Sequence, residues 1–213
     1  MDGMHSPVSA EAGLIGPNAL LQLISVLDRH EGRATRDLLF EAAGVAPPPP
    51  DAGMWPEDQA GAVHRMVRQA LPDRADGLLR LAGQATADYI LANRIPAVAQ
   101  VLIRALPGPL AARVLSGAIE RHAWTFAGSG RFRIVSRRPL VFEVAGNPLI
   151  RGEVALHPMC HWHAAVFERL FRRLVWRRAV VEEAACAAVG APACRFEIRS
   201  RPRAAAPQGW ARR

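Results

Sequence analysis

Lysine is absent from this chain, and all 27 strongly basic residues are arginine. Arginine, alanine, glycine and proline are the residues a GC-rich coding sequence favours, so the bias by itself carries no functional weight. Charge is also unevenly spread. The net charge is +8, yet the last fifteen residues, from Arg199, hold five arginines and no acid. The body of the protein is therefore only weakly basic. No aromatic-interleaved basic platform and no recognition-helix pattern occurs, which argues against a nucleic-acid partner. No apolar run reaches the roughly 18–20 residues that cross a bilayer; the nearest, Pro96 to Ile119, is broken by Arg104, Pro107, Pro109 and Arg113. No basic stretch followed by an apolar core opens the chain, so a signal peptide is not expected. Cysteine is scarce, and its odd count of three argues against a disulfide framework. The expected location is a reducing one, the cytoplasm.

What is present is enough apolar residue for a core. Half of the 213 residues are hydrophobic, sufficient for one large domain or a domain with a helical subdomain. The spacing predicts helices over 17–29 and 35–43, with Pro17 at a first helical position and Thr35 as a cap. Gly44 to Pro56, with four prolines at 47–50, reads as an extended linker. Residues 1–56 are thus expected to form an N-terminal appendage. Val63, Met66, Val67, Ala70 and Leu71 make 57–71 an amphipathic helix. Another follows from a cap at Asp73, with Leu78, Ala82, Ala85, Thr86 and Tyr89 aligned. Pro96 opens a short helix that Pro107 ends, and 109–122 reads as one more.

After Gly128-Ser129-Gly130 the period changes to two, so Arg131 to Val144 reads as two antiparallel strands joined at Arg137-Arg138-Pro139. A third strand is expected over 149–156, a helix over 158–175, and further strands over 177–183 and 194–199. The fold class is α+β: a helical half, then an antiparallel sheet with an inserted helix. The domain is expected to span 57–199, followed by a disordered Arg-rich tail over 200–213.

All three cysteines fall within one array with a glutamate: Cys160, Glu183, Cys186 and Cys194, spaced C-x22-E-x2-C-x7-C. Thiolates and a carboxylate suit Zn²⁺, and four protein ligands leave no open position for water. Such a site staples a fold. Cys160, at the first turn of its helix, is expected to have its thiolate favoured. Glu183 and Cys186 would face opposite ways on a continuing strand, so the chain is expected to turn helically after Glu183. Gly190 permits the reversal that returns Cys194. Three buried, inert thiols fit the spacing as well.

The run from Glu183 to Ile198, EAACAAVGAPACRFEI, with Cys160 upstream, resembles the signature of the vinyl-4-reductase domain family. The likeness is specific over about 130–199 and extends back to about 73. It implies a small ligand-binding fold similar to the transport-particle adaptor fold, and zinc held by Cys160, Glu183, Cys186 and Cys194. Within the family the chain is similar to its bacteriochlorophyll-pathway branch. The Cys160-His161-Trp162-His163 run departs from relatives that place small residues there.

That resemblance implies a tetrapyrrole, as ligand or substrate. A magnesium porphyrinoid needs a flat apolar slot, cations for its propionates and an axial imidazole. Candidate walls are Trp124, Phe126, Phe132, Phe142 and Trp162. Candidate axial ligands are His122 and His163, and candidate propionate partners are Arg121, Arg131 and Arg151. Ordinary core packing accounts for any single aromatic, a hydrogen-bonded core role for His163, and a helix-end charge for His122. Turning a vinyl group into ethyl needs a hydride donor, yet no G-x-G-x-x-G after a strand, no P-loop and no flavin constellation is visible. The leading expectation is a protein that binds a magnesium tetrapyrrole and presents it to other bacteriochlorophyll-pathway enzymes. A 4-vinyl reductase, and a sensor or adaptor with a dimer-forming face at 57–71 or 78–90, are the alternatives, and the chain is expected to form a homodimer.

Overall fold

In a computed structural model, residues 13–201 are described. The tail expected to be disordered lies, from residue 202, outside them.

The first half is helical: α1 (Asn18–His30), α2 (Arg33–Ala42), α3 (Glu57–Ala70), α4 (Pro72–Asn93), α5 (Ala97–Ala105), α6 (Gly108–Arg121) and the single turn α7 (Trp124–Ala127). Two short strands, β1 (Leu14–Ile15) and β2 (Trp55–Pro56), pair antiparallel. The proline run at 47–50 lies between α2 and β2 without helix or strand. Asp73 does not cap α4. That helix starts one residue earlier, at Pro72, leaving Asp73 in its first turn, where a carboxylate still complements the helix dipole.

The second half carries β3 (Arg131–Arg137), β4 (Leu140–Ala145), α8 (His161–Leu174), β5 (Ala179–Ala185) and β6 (Cys194–Ser200). They form one antiparallel sheet in the order β3-β4-β6-β5. The third strand expected over 149–156 is not there. Pro148–Ile150 forms a 3₁₀ turn instead. Asn147 accepts the Leu149 amide in its side chain, and Arg68 of α3 holds the Leu149 carbonyl and Glu153. These clasps draw the segment against α3 and away from the sheet.

One face of the sheet is the core face. Phe132, Phe142, Val144, Val181, Cys194, Phe196 and Ile198 are all buried there. Helix α8 covers this face, α4 packs behind α8, and α1 and α3 pack on α4. The apolar faces of 57–71 and 78–90 are thus largely engaged within the chain. Gly83 sets the α4–α8 distance, since a Cβ there would overlap the Trp162 carbonyl and stand 2.9 Å from the Ala165 methyl. On the outer face, Glu143 is buried to 2% by Arg133 and Arg195, which clamp its carboxylate from neighbouring strands. Alternation therefore assigned its face correctly, while the arginine stems supplied the burial.

Candidate metal centre and the residues around it

Three separate stretches bring the cysteine–glutamate array together. Cys160 is the residue just before α8, Glu183 and Cys186 lie at the end of β5, and Cys194 opens β6. One potential ligand atom from each lies within 4.8 Å of all the others. The Cys160 sulfur is 3.3 Å from that of Cys194 and 4.0 Å from that of Cys186. A tetrahedron with metal–sulfur bonds of about 2.3 Å has edges near 3.8 Å, so the cluster is already of coordinating size. All three sulfurs are buried.

The convergence of Glu183 and Cys186 has a different cause from the expected helical turn. A register shift between Glu183 and Ala185 inserts an extra residue opposite β6, which re-aims the side chains beyond it. Cys186 itself stays extended, and only Ala187–Val189 turns as 3₁₀ helix. Gly190 then adopts φ +93, the reversal its position required.

Crowding four acids into a buried site shows in their proton affinities. Burial pushes the Glu183 carboxyl up to about 8. Cys160, at the end of α8 expected to favour its thiolate, is instead pushed well up by burial and by hydrogen bonds to the other two thiols. Its own amide donates to Glu183 Oε2 at 2.7 Å, so the helix terminus serves the carboxylate. A hydrogen bond from Cys160 favours the Cys194 thiolate, but contact with Cys186 and burial outweigh it and push Cys194 up to about 12. Cys186 is lowered by its contacts with the Cys160 and Cys194 thiols, against the opposing effect of burial. Four acidic groups held this close oppose one another's ionisation, and a divalent cation among them would relieve that opposition.

A second observation fits a cation. Glu183 Oε1 is buried without a hydrogen-bond partner, although such an atom ordinarily finds one. Its partner oxygen is already engaged, and three sulfurs lie beside it. The four residues could hold a metal ion, with no water position needed.

Asn147 is a site residue that the sequence alone did not single out. Buried to 2%, its Nδ2 donates to the Cys160 sulfur at 3.3 Å and lies 3.9 Å from that of Cys194. An amide aimed at sulfur stabilises thiolate, and a polar residue between two apolar strands and an N-P turn was the available signal. The same Nδ2 lies 3.4 Å from His163 Nδ1, and His163 Nε2 meets the Phe126 carbonyl at 3.2 Å. Both ring nitrogens of His163 are thereby occupied, and burial pushes its pKa down to about 4.

The candidate tetrapyrrole residues separate into two groups. Phe126, Phe132, Phe142 and His163 come together, but their rings pack edge-on against one another and against Phe167, leaving a filled core. Trp162 is buried between the His64 and His163 rings. The rest point elsewhere. Trp124 is 56% exposed. Arg121 and His122 are exposed at the end of α6, with His122 Nδ1 on the Ala118 carbonyl. Arg131 lines a shallow cleft of about 240 Å³ on the outer sheet face with Arg133, Glu143 and Arg195. Arg151 is tied to Glu57 at 2.7 Å.

A model of the vinyl-4-reductase domain matches residues 140–200, which contain all four cluster residues. The chain is 60% identical over 189 residues to the bacteriochlorophyll synthase 23 kDa chain of Cereibacter sphaeroides, covering 89% of this chain and 92% of that one. It is 58% identical to the protein of the same name from Rhodobacter capsulatus, over 86% of each. Among solved structures, an H-NOX protein from K. algicida superposes with a TM-score of 0.60 at 11% identity, over 88% of this chain and 97% of that one. The phenol-responsive sensory domain of the transcription activator PoxR gives 0.50 at 16% identity, over 78% and 90%. At such identities the likeness is one of fold. It sets the α+β architecture beside H-NOX proteins, where the family resemblance had implied a transport-particle adaptor.

Proposed function

This chain belongs to the vinyl-4-reductase-domain family of the bacteriochlorophyll synthase 23 kDa chains, and we propose that it serves bacteriochlorophyll biosynthesis by binding a magnesium tetrapyrrole intermediate and presenting it to pathway enzymes. The observation that carries the pathway assignment is 60% identity across 92% of a protein bearing that name. At this level the fold is shared over nearly the whole chain.

In this reading Cys160, Glu183, Cys186 and Cys194 hold a structural zinc. The support is the 4.8 Å convergence of four donors and the unpartnered Glu183 oxygen. A closed four-ligand zinc supplies rigidity and no catalysis. It would pin the start of α8 to the end of β5 and the start of β6, beside the aromatic core. The macrocycle would enter between the α6–α7 segment and the sheet, where half-buried Phe126 meets Phe132. Opening that boundary exposes apolar ring surface of the kind a porphyrinoid face covers.

The test is an absorbance titration of purified protein with protochlorophyllide and with magnesium protoporphyrin, repeated on His122→Ala and His163→Ala. A Soret shift saturating at one pigment per chain, without consumption of reduced nicotinamide when a divinyl pigment is supplied, is the expected result. Consumption of nicotinamide with formation of the ethyl product would replace this reading with a 4-vinyl reductase. Absence of any saturable shift would remove the tetrapyrrole altogether.

A further inference from the structure

The most apolar stretch of the sequence folds into a surface. Of the nine residues of α5, only Ile103 is buried. Val98, Val101 and Leu102 are 71%, 60% and 62% exposed. Their spacing of three and four places them on one stripe of the helix. Helix α6, which packs against α5, adds Leu110 and Val114, 46% and 41% exposed. Single exposed aliphatic residues need no explanation, but five on two adjoining helices do.

Up to Glu120, the charges that α5 and α6 carry are of one sign. Between Asp88 and Glu120 the sequence has no acidic residue, while Arg94, Arg104 and Arg113 fall inside that interval. Arg113 follows Leu110 by three residues and so lies beside it, and Arg121, seven residues after Val114, falls on the Leu110–Val114 face at the end of α6. Neither Arg113 nor Arg121 has a carboxylate partner within 4.0 Å among the described residues. Arg104 reaches inward, to the Arg173 carbonyl and to Gln100, and so fixes α5 with its apolar stripe outward.

We propose that the α5–α6 face docks this protein onto an anionic lipid surface. Aliphatic side chains would enter the headgroup–acyl boundary while the arginines meet lipid phosphates, the pattern of an interfacial helix. A second copy of the chain is the poorer occupant, because face-to-face packing would bring arginine-bearing surfaces together with Glu120 the only acid on either helix. An acidic protein is poorer as well. The stripe offers no polar side chain and no aromatic anchor, the groups that carry most protein–protein hot spots. The inference is independent of the tetrapyrrole reading and concerns the protein without pigment.

The test is vesicle co-sedimentation of the full chain, using phosphatidylglycerol–phosphatidylcholine vesicles and pure phosphatidylcholine vesicles at about 0.1 M salt. Wild type should sediment with the anionic vesicles and far less with the neutral ones. The double variant Val101→Ser/Leu102→Ser, whose exposed positions leave the fold unchanged by circular dichroism, should bind roughly tenfold more weakly. Arg113→Gln should weaken binding about fivefold. Equal binding by wild type and the apolar double variant would assign attraction to the Arg-rich C-terminus and overturn the proposal. So would equal binding to both vesicle types. A dimer in solution that the double variant abolishes, with no vesicle binding by wild type, would likewise overturn it in favour of a second copy.

Discussion

Phe167 sits at the hub of the aromatic core, and its truncation distinguishes a filled interior from a standing slot. Its ring lies 5.2 Å from Phe142, 5.4 Å from Phe196 and 5.6 Å from Phe126, centroid to centroid, all near edge-to-face. Only 1% of the residue is exposed. Phe→Ala in a packed core removes the transfer free energy of the ring and leaves a void, together about 3–5 kcal/mol. Edge-to-face pairs of this kind add about 0.5–1.5 kcal/mol each beyond area, which favours the upper half of that range. For a chain of this length, roughly 4 kcal/mol lowers the melting temperature by about 10 °C. Urea unfolding of Phe167→Ala against wild type, both without pigment, measures it directly. A shifted midpoint with unchanged slope is expected. A cost below about 1.5 kcal/mol would mean that the rings already line an open space, and the packed-core description would be wrong.

Two further outcomes follow from buried titratable groups. Glu57 is 3% exposed, yet Ser129 and Arg151 hydrogen bonds lower its pKa against the opposing effect of burial. Its stability contribution is therefore present above the ordinary carboxylate pKa and lost as pH falls through the lowered value. Glu57→Gln should cost about 1–3 kcal/mol at pH 7 and less in acid; an equal cost at pH 7 and pH 3 would refute the charged clamp. His64 and His163 are buried with pKa values pushed down by burial, to about 3 and about 4. The unfolded chain protonates them first, so stability is full above about pH 6.5 and falls below it, by about 2 kcal/mol per histidine at pH 5. Melting curves of wild type and His64→Gln between pH 7.5 and pH 5 read this, and an unchanged acid slope in the variant would contradict it.

How far the sequence reached depended on whether periodicity or contact decided the outcome. Helix α8 and the strands β4 and β6 were legible because their apolar residues recur at 3.6 and 2 along segments long enough to count. The stretch 149–156 was misread for the opposite reason. Pro148, Leu149 and Ile150 are apolar and consecutive, and only Arg68 and the Asn147 side chain, one a distant contact and the other a local one, decide that they turn. The four cysteine–glutamate cluster residues could be named from their spacing and a family resemblance. The β-bulge that lets Glu183 and Cys186 converge could not, since a register shift belongs to a strand pair and not to either strand. Arg151 shows the same limit: an exposed arginine suited an anionic ligand until Glu57, 94 residues away, was found beside it.

In the function proposed above, sulfur and oxygen donors from three stretches of the second half close around one divalent ion. The most direct test of that closure is the metal content of protein purified without added metal, combined with X-ray absorption at the zinc edge. The account predicts one zinc per chain, with three sulfur neighbours at about 2.3 Å and one oxygen at about 2.0 Å, and loss of that signature in Cys194→Ser. Folded, metal-free protein whose three thiols all react with a thiol reagent, and whose melting temperature does not respond to added zinc, would contradict it.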